Sequence, residues 1–264
     1  MATLSLGQGA IGYFERGSKT NRRLPIIFLH GVGSDKSVWI RQLDHFGPDR
    51  RAVAFDFPGY GDSEARHQAG RDDVAAIIVE AIAGLGLDRV HVCGLSLGGV
   101  IAIALHHRAP DRCASLILAD SFARHPDGQA IYDRSVAASK SMTMRELAEA
   151  RAPALLGSAA GDELRAEVIE TMSGIDPAAY RQGAEAVWLA DQRKRAAAIN
   201  GPTLVVCGDE DRITPPLLSE ELVQLVPGAK LAMIHGAGHL PNIEQPDAFN
   251  STVDKFISET ETNS

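Results

Sequence analysis

Six short apolar runs, separated by longer helix-like segments, restrict the fold of this chain more than any other feature. The runs are LPIIFLHG (24–31), RAVAFDF (51–57), RVHVCGL (89–95), ASLILAD (114–120), PTLVVCGD (202–209) and AKLAMIHG (229–236). Each is rich in branched side chains and closes at Gly, Asp or Pro, the pattern of strands buried on both faces. Between most of them the spacing turns helical. RDDVAAIIVEAIAGLGL (71–87) opens with acids in its first turn and ends among glycines, and LGGVIAIALHHRAP (97–110) stops before a proline. Alternation of strand and helix predicts an α/β fold with a mostly parallel central sheet and helices on both faces. The opening TLSLGQGAIGYFERG reads instead as two strands around Gly7 to Gly9, an antiparallel edge.

One interval breaks the alternation. Between Asp120 and Pro202 no strand is legible, only helical patterns such as MTMRELAEARAPALLG and GDELRAEVIETMSGI. A structureless loop of that length does not suit a compact domain, so residues 122–196 are expected to form an inserted helical cap. The core is then residues 1–121 and 197–264.

Composition removes several classes of function. A net charge of -8, with acids and bases interspersed, lacks the basic stripe that nucleic acid requires. No run approaches the roughly 20 apolar residues of a membrane-spanning helix, and the N-terminus lacks the basic start and apolar region of a secretory signal. A cytoplasmic protein with no nucleic-acid or membrane partner is expected. Cys93, Cys113 and Cys207 show no metal-binding spacing and read as small buried hydrophobes in strands.

The chemistry is concentrated where the third run meets the helix after it. GLSLG (94–98) fits the G-x-S-x-G nucleophile elbow, in which a sharp strand-to-helix turn lifts a serine hydroxyl above the sheet. The helix behind Ser96 points its first N–H groups at any negative charge that forms there. A serine hydroxyl needs a base, and the base needs an orienting acid. His239, in the glycine-rich loop IHGAGHLPNIEQP after the last apolar run, is expected to be the base. His235 ends a strand, and His106 and His107 lie late on a helix. For the acid, VVCGDEDRITPP offers Asp211, with Asp120 as the geometrical alternative. The oxyanion donors are expected from the N–H of Leu97, directly after the serine, and of Val32, in the loop HGVGSDKSVW. His30 is expected to support that loop, and DFPGYGDS (56–63) to be local scaffolding.

Five motifs, HGVGSDKSVW, DFPGYGDS, GLSLGG, GDEDRITPP and GAGHLPNIEQP, stand in an order and spacing that resembles the α/β-hydrolase fold superfamily over nearly the whole chain. Within it, the elbow CGLSLGG, the length and the cap ending AVWLADQRKRAAAINGPTLVVCGDEDRITPP are similar to the small-capped branch of 3-oxoadipate enol-lactonases and carboxylesterases. The resemblance implies Ser96 as nucleophile, Asp211 as acid, His239 as base and Val32 and Leu97 as oxyanion donors, with no metal or organic cofactor. It implies a small-molecule ester or lactone as substrate. Dehalogenases and epoxide hydrolases of the fold place an aspartate at the elbow, so Ser96 argues against both. Meta-cleavage C–C hydrolases commonly carry a tryptophan after the histidine, where this chain has Leu240. A C–C hydrolase or perhydrolase using the same triad, and a non-catalytic ligand receptor, are the rival readings. An enol-lactone would bring a carboxylate to the cap, whose basic residues include Arg124, Arg134, Lys140 and Arg145. Arg124 and His125, just after the strand ending at Asp120, are the candidate contacts, and Trp188 a candidate pocket wall.

Overall fold

All six apolar runs become strands of one eight-stranded sheet, joined at one edge by the two N-terminal strands. A computed structural model describes residues 2–7, 9–66 and 69–262. In chain order the strands are β1 (Ala2–Leu6), β2 (Gly9–Arg16), β3 (Ile26–Leu29), β4 (Ala52–Phe55), β5 (Val90–Leu95), β6 (Cys113–Ala119), β7 (Thr203–Gly208) and β8 (Lys230–Ile234). Their order in the sheet is β1-β2-β4-β3-β5-β6-β7-β8. Pairing is antiparallel for β1 with β2 and β2 with β4, and parallel from β4 to β8. Gln8, within the turn expected between the first two strands, lies outside the described residues.

Alternate residues of the central strands feed two separate cores. Ile27, Leu29, Val53 and Phe55 face one side, with α2 (Arg71–Gly84) and α3 (Leu97–Arg108) packed over them. Ile26, Phe28, Ala52 and Ala54 face the other, against α1 (Ile40–Phe46) and the C-terminal helix α11 (Pro246–Thr262). This two-sided burial is why these strands read as continuous apolar runs rather than alternating ones. The three cysteines lie buried in β5, β6 and β7.

Between β6 and β7 the chain forms five helices: α4 (Gly128–Ser141), α5 (Met144–Leu155), α6 (Asp162–Ser173), α7 (Pro177–Trp188) and α8 (Arg193–Ala197). Thr143 caps α5 in a reciprocal box with Glu146, and Asp176 caps α7 ahead of a proline at its first position. The two ends of this excursion meet in a single antiparallel bridge, Arg124 with Asp191, reinforced by Gln192 N–H donating to Ala123 O at 2.8 Å. Gln192 also donates its amide to Val100 O at 2.6 Å, fixing the exit to α3. The remaining helices are α9 (Pro216–Leu225) between β7 and β8 and the short α10 (Pro241–Glu244). No helix among the described residues is long and apolar enough to cross a membrane.

Candidate active site

Ser96 sits between β5 and α3 with φ 54° and ψ -113°, a left-handed conformation that costs a non-glycine residue about 1–3 kcal/mol. Its backbone is held from both directions. The N–H donates to Ala119 O at 2.9 Å, and the carbonyl accepts from the Ser121 hydroxyl at 2.9 Å. The flanking glycines are a packing requirement. A Cβ on Gly94 would strike the carbonyl of Gly98, one on Gly98 the carbonyl of Leu29, and one on Gly99 would lie 2.5 Å from Ser121 Cβ. The turn therefore closes tightly enough to bring Leu97, the first residue of α3, directly behind the serine, where helical N–H groups have no intrahelical acceptor.

His239 lies in the loop after β8, buried, and its backbone N–H donates to Leu155 O at the end of α5. Its Nδ1 is 2.8 Å from Asp211 Oδ2, so a proton on Nδ1 donates to the carboxylate and leaves Nε2 as the ring's acceptor. Asp211 is itself fixed by Ile213 N–H and Thr214 N–H at 2.7 and 3.0 Å, and by the Thr214 hydroxyl at 2.6 Å. Burial pushes the Asp211 carboxyl up, but the facing imidazole and these hydrogen bonds outweigh it and hold the group below its ordinary value. Asp120, the alternative acid, instead accepts from Gly208 N–H at 2.9 Å and makes no contact with the histidine. Burial first, then the neighbouring Asp211 charge, push its carboxyl well above the ordinary range. Asp120, Cys207 and Asp211 form one cluster of metal-ligand types within 4.8 Å. Burial raises the Cys207 thiol as well, and both Asp211 oxygens are engaged, so the set offers mostly protonated groups.

Ser96 and His239 line one cavity of about 40 Å³, together with Gly31, Val32, Trp188 and Leu240. The Val32 loop is braced by His30, whose Nδ1 donates to Gly31 O at 2.8 Å while Nε2 accepts the Phe57 N–H at 3.0 Å. Burial lowers the pKa of His30, consistent with one ring nitrogen accepting. DFPGYGDS does more than make a turn. The Tyr60 hydroxyl lies 3.3 Å from Val32 O and 3.2 Å from Ala179 O, joining this loop to α7 of the insertion.

Arg124 and His125 do not line the cavity. Arg124 is exposed, its backbone used in the bridge with Asp191. His125 is buried edge-on against Trp188, with ring centroids 5.5 Å apart, and its Nδ1 accepts the Asp127 N–H. Residues immediately after β6 are drawn away from the serine because they close the base of the insertion. Trp188 does reach the cavity wall, backed by Phe122 stacked at 5.8 Å. The guanidinium in the wall belongs to Arg151 on α5, a residue the linear sequence does not distinguish from other cap arginines. Glu244 is a second unanticipated residue. It accepts the N–H groups of Gly157, Gly238 and Leu240 at 2.6, 2.9 and 3.1 Å, clamping the histidine loop to the insertion. Its only sequence signal is its place five residues after His239 in the motif.

A serine on a strained turn between a parallel strand and a helix thus shares a cavity with a histidine hydrogen-bonded to a buried acid. The chain belongs to the alpha/beta hydrolase fold family, whose model matches residues 25–246. It is 26% identical to 3-oxoadipate enol-lactonase 1 of Acinetobacter baylyi over 88% of each chain. It is 27% identical to the pimeloyl-[acyl-carrier protein] methyl ester esterase of Neisseria meningitidis serogroup C, over 92% of this chain and 97% of that one. Among solved structures, the enol-lactonase from Burkholderia xenovorans LB400 superposes with a TM-score of 0.91 at 26% identity, covering 97% of this chain and 100% of the other.

Proposed function

We propose that the protein is a serine hydrolase that opens a small carboxylic ester or lactone through an acyl-enzyme. The observation that carries this reading is the strained elbow serine sharing a cavity with an imidazole whose Nδ1 is committed to Asp211. Ser96 Oγ attacks the carbonyl carbon while His239 Nε2 takes its proton, and Asp211 stabilises the resulting imidazolium. The oxygen that becomes negative is stabilised by the N–H groups of Val32 and Leu97. Collapse expels the alkoxide, which takes the proton back from His239. For a lactone that alcohol stays tethered to the acyl group. Water then repeats the sequence on the acyl-enzyme and releases the acid, with no cofactor consumed. The ester- and lactone-cleaving relatives support this substrate class.

The test is kcat/KM for 3-oxoadipate enol-lactone and for a short neutral aryl ester, with Ser96→Ala as blank, and mass analysis after a fluorophosphonate probe. Ser96-dependent turnover and a single adduct on Ser96 are expected. Turnover that survives Ser96→Ala, or labelling elsewhere, overturns the mechanism. Turnover confined to a C–C or peracid reaction would retain the triad and replace the substrate class.

A further inference from the structure

Away from Ser96 and His239 the serine cavity continues between the core and the insertion. Val38, Leu240 and Ile243 wall it on the core side, and Leu155, Glu167 and Val168 on the side of α5 and α6. The lining is mostly apolar, and the one acid in it is already engaged. Glu167 accepts two hydrogen bonds from the Arg41 guanidinium, both at 2.8 Å, and this partner holds its carboxyl below the ordinary range. Arg41 does not itself line the cavity; it stands on α1, three residues after Val38.

The pair therefore ties the two walls together. Among the described residues it is the one ion pair that joins α6 to the core, since Glu170 and Asp162 of that helix pair with Arg145 and Arg165 inside the insertion. Little else holds α6 down. It buries only Val168 and Met172, where α7 buries seven residues, and it packs chiefly on α5. Glycines flank it at both ends, and a Cβ on Gly161 would meet nothing within 4 Å.

The cavity, about 40 Å³, has room for roughly three waters. At Arg151, Trp188 and Ile213 it meets a wider groove of about 340 Å³. The two limbs of an ester are thus received unequally: the bulkier one has the groove, and the smaller one lies between α1 and α6.

We propose that the pair of Arg41 and Glu167 is the end stop of this cavity and sets substrate size, so that the smaller limb of the ester is an aliphatic chain of about four carbons or fewer. A longer chain has to push α6 away from α1 and break the pair. The reading rests on the hydrolase function above and adds a length limit to it. Arg41 and Glu167 act on specificity through the wall they fix and touch no reacting atom.

The experiment measures kcat/KM for 4-nitrophenyl esters of straight-chain acids from acetate to decanoate, below their micelle concentrations. The aryl group is too large for the cavity, which directs the acyl chain into it. Wild type should favour butyrate over octanoate by about tenfold or more. Arg41→Met removes the cation at a position outside the cavity, so a change in chain-length preference has to pass through Glu167. It should remove most of that preference while the butyrate rate stays within about twofold, and 1 M salt should act in the same direction. Glu167→Gln should match it, and the double variant should add nothing further. Hydrogen exchange over residues 162–173, a readout that needs no turnover, should quicken by about threefold or more in Arg41→Met. Quickened exchange in a protein without Ser96-dependent turnover would count against the hydrolase reading and leave the latch standing. A wild-type rate that does not fall with chain length, a cut-off that persists in both single variants, or, without turnover, unchanged exchange overturns the proposal.

Discussion

Asp120 and Asp211 bring carboxyl oxygens within 4.8 Å of each other beside His239, and only Asp211 holds the imidazole. Two carboxylates so close in a buried site do not both ionise readily. The environment resolves the conflict. Asp211 has the facing imidazole and three hydrogen-bond donors besides, while Asp120 has one backbone donor and an Oδ2 with no partner. Asp211 is therefore the charged member and Asp120 the neutral one.

Asp211→Asn should lower kcat by about 10³- to 10⁴-fold, because an amide does not stabilise the imidazolium and can enforce the wrong tautomer. Asp120→Asn replaces one neutral group by another and keeps an oxygen for Gly208 N–H, so it should cost less than about tenfold. Steady-state kinetics on the two variants decides the matter. A larger loss in Asp120→Asn would transfer the acid's role to that residue.

Ser96→Ala should reduce turnover by at least about 10³-fold while the melting temperature stays within about 3 °C, since the elbow is held by backbone groups. Ser96→Gly should be as inactive yet more stable by about 1 kcal/mol, because glycine adopts a φ of 54° without strain. Denaturant unfolding of the three proteins measures the difference, and a glycine variant less stable than the alanine one contradicts the strain.

Gly183 on α7 faces the Tyr60 hydroxyl so closely that an added methyl would overlap it and press on Val32 Cγ2 at 3.0 Å. Gly183→Ala should destabilise by about 1–3 kcal/mol and lower kcat by roughly tenfold through displacement of the Val32 loop. Removing the obstructing oxygen in Tyr60→Phe/Gly183→Ala should restore part of both losses. Strictly additive effects in the double variant would show that the two positions are uncoupled.

Glu261 on α11 is held by Arg50 at 2.6 Å and His91 at 3.3 Å. Burial opposes its charge, but these partners prevail and lower its pKa to about 2. A carboxyl depressed in the folded state contributes stability that is complete above its unfolded pKa of about 4.3 and is lost as pH falls toward 2. Glu261→Gln should thus be less stable than wild type at pH 7 and should lose less on acidification between about pH 4.5 and 2. Urea midpoints across that range test it, and parallel curves would exclude Glu261 as a contributor.

Much of this architecture can be read from the chain because the central strands β3 to β7 are buried on both faces, so each announces itself as an apolar run; the edge strand β8 is apolar in sequence too, yet Leu231 and Met233 are exposed. The sheet order is not legible that way. β4 pairs between β2 and β3, a choice made by crossover geometry rather than by any residue in AVAF. The elbow is legible since Gly94, Gly98 and Gly99 are required by close backbone approach at fixed offsets from Ser96. Positions within the insertion are not, because helices there can pack on the core in several ways. Arg124 follows β6 directly and turns outward, whereas Arg151 is brought to the cavity wall by the docking of Leu155 O on His239 N–H. Tyr60 reads as turn scaffolding until Ala179, distant in sequence, is placed beside its hydroxyl.

The short stretch from the last residue of α5 onward links the insertion to the loops carrying His239 and Asp211: Leu155 O receives His239 N–H, Gly157 N–H shares Glu244 with the histidine loop, and Ser158 donates twice to Glu210, next to Asp211. The insertion is consequently not an interchangeable attachment. Grafting a foreign one from a relative would replace part of the frame that aims the histidine, so chimaeras made at its two ends should lose rate as well as change selectivity. Those that retain residues 155–158 should transplant selectivity alone.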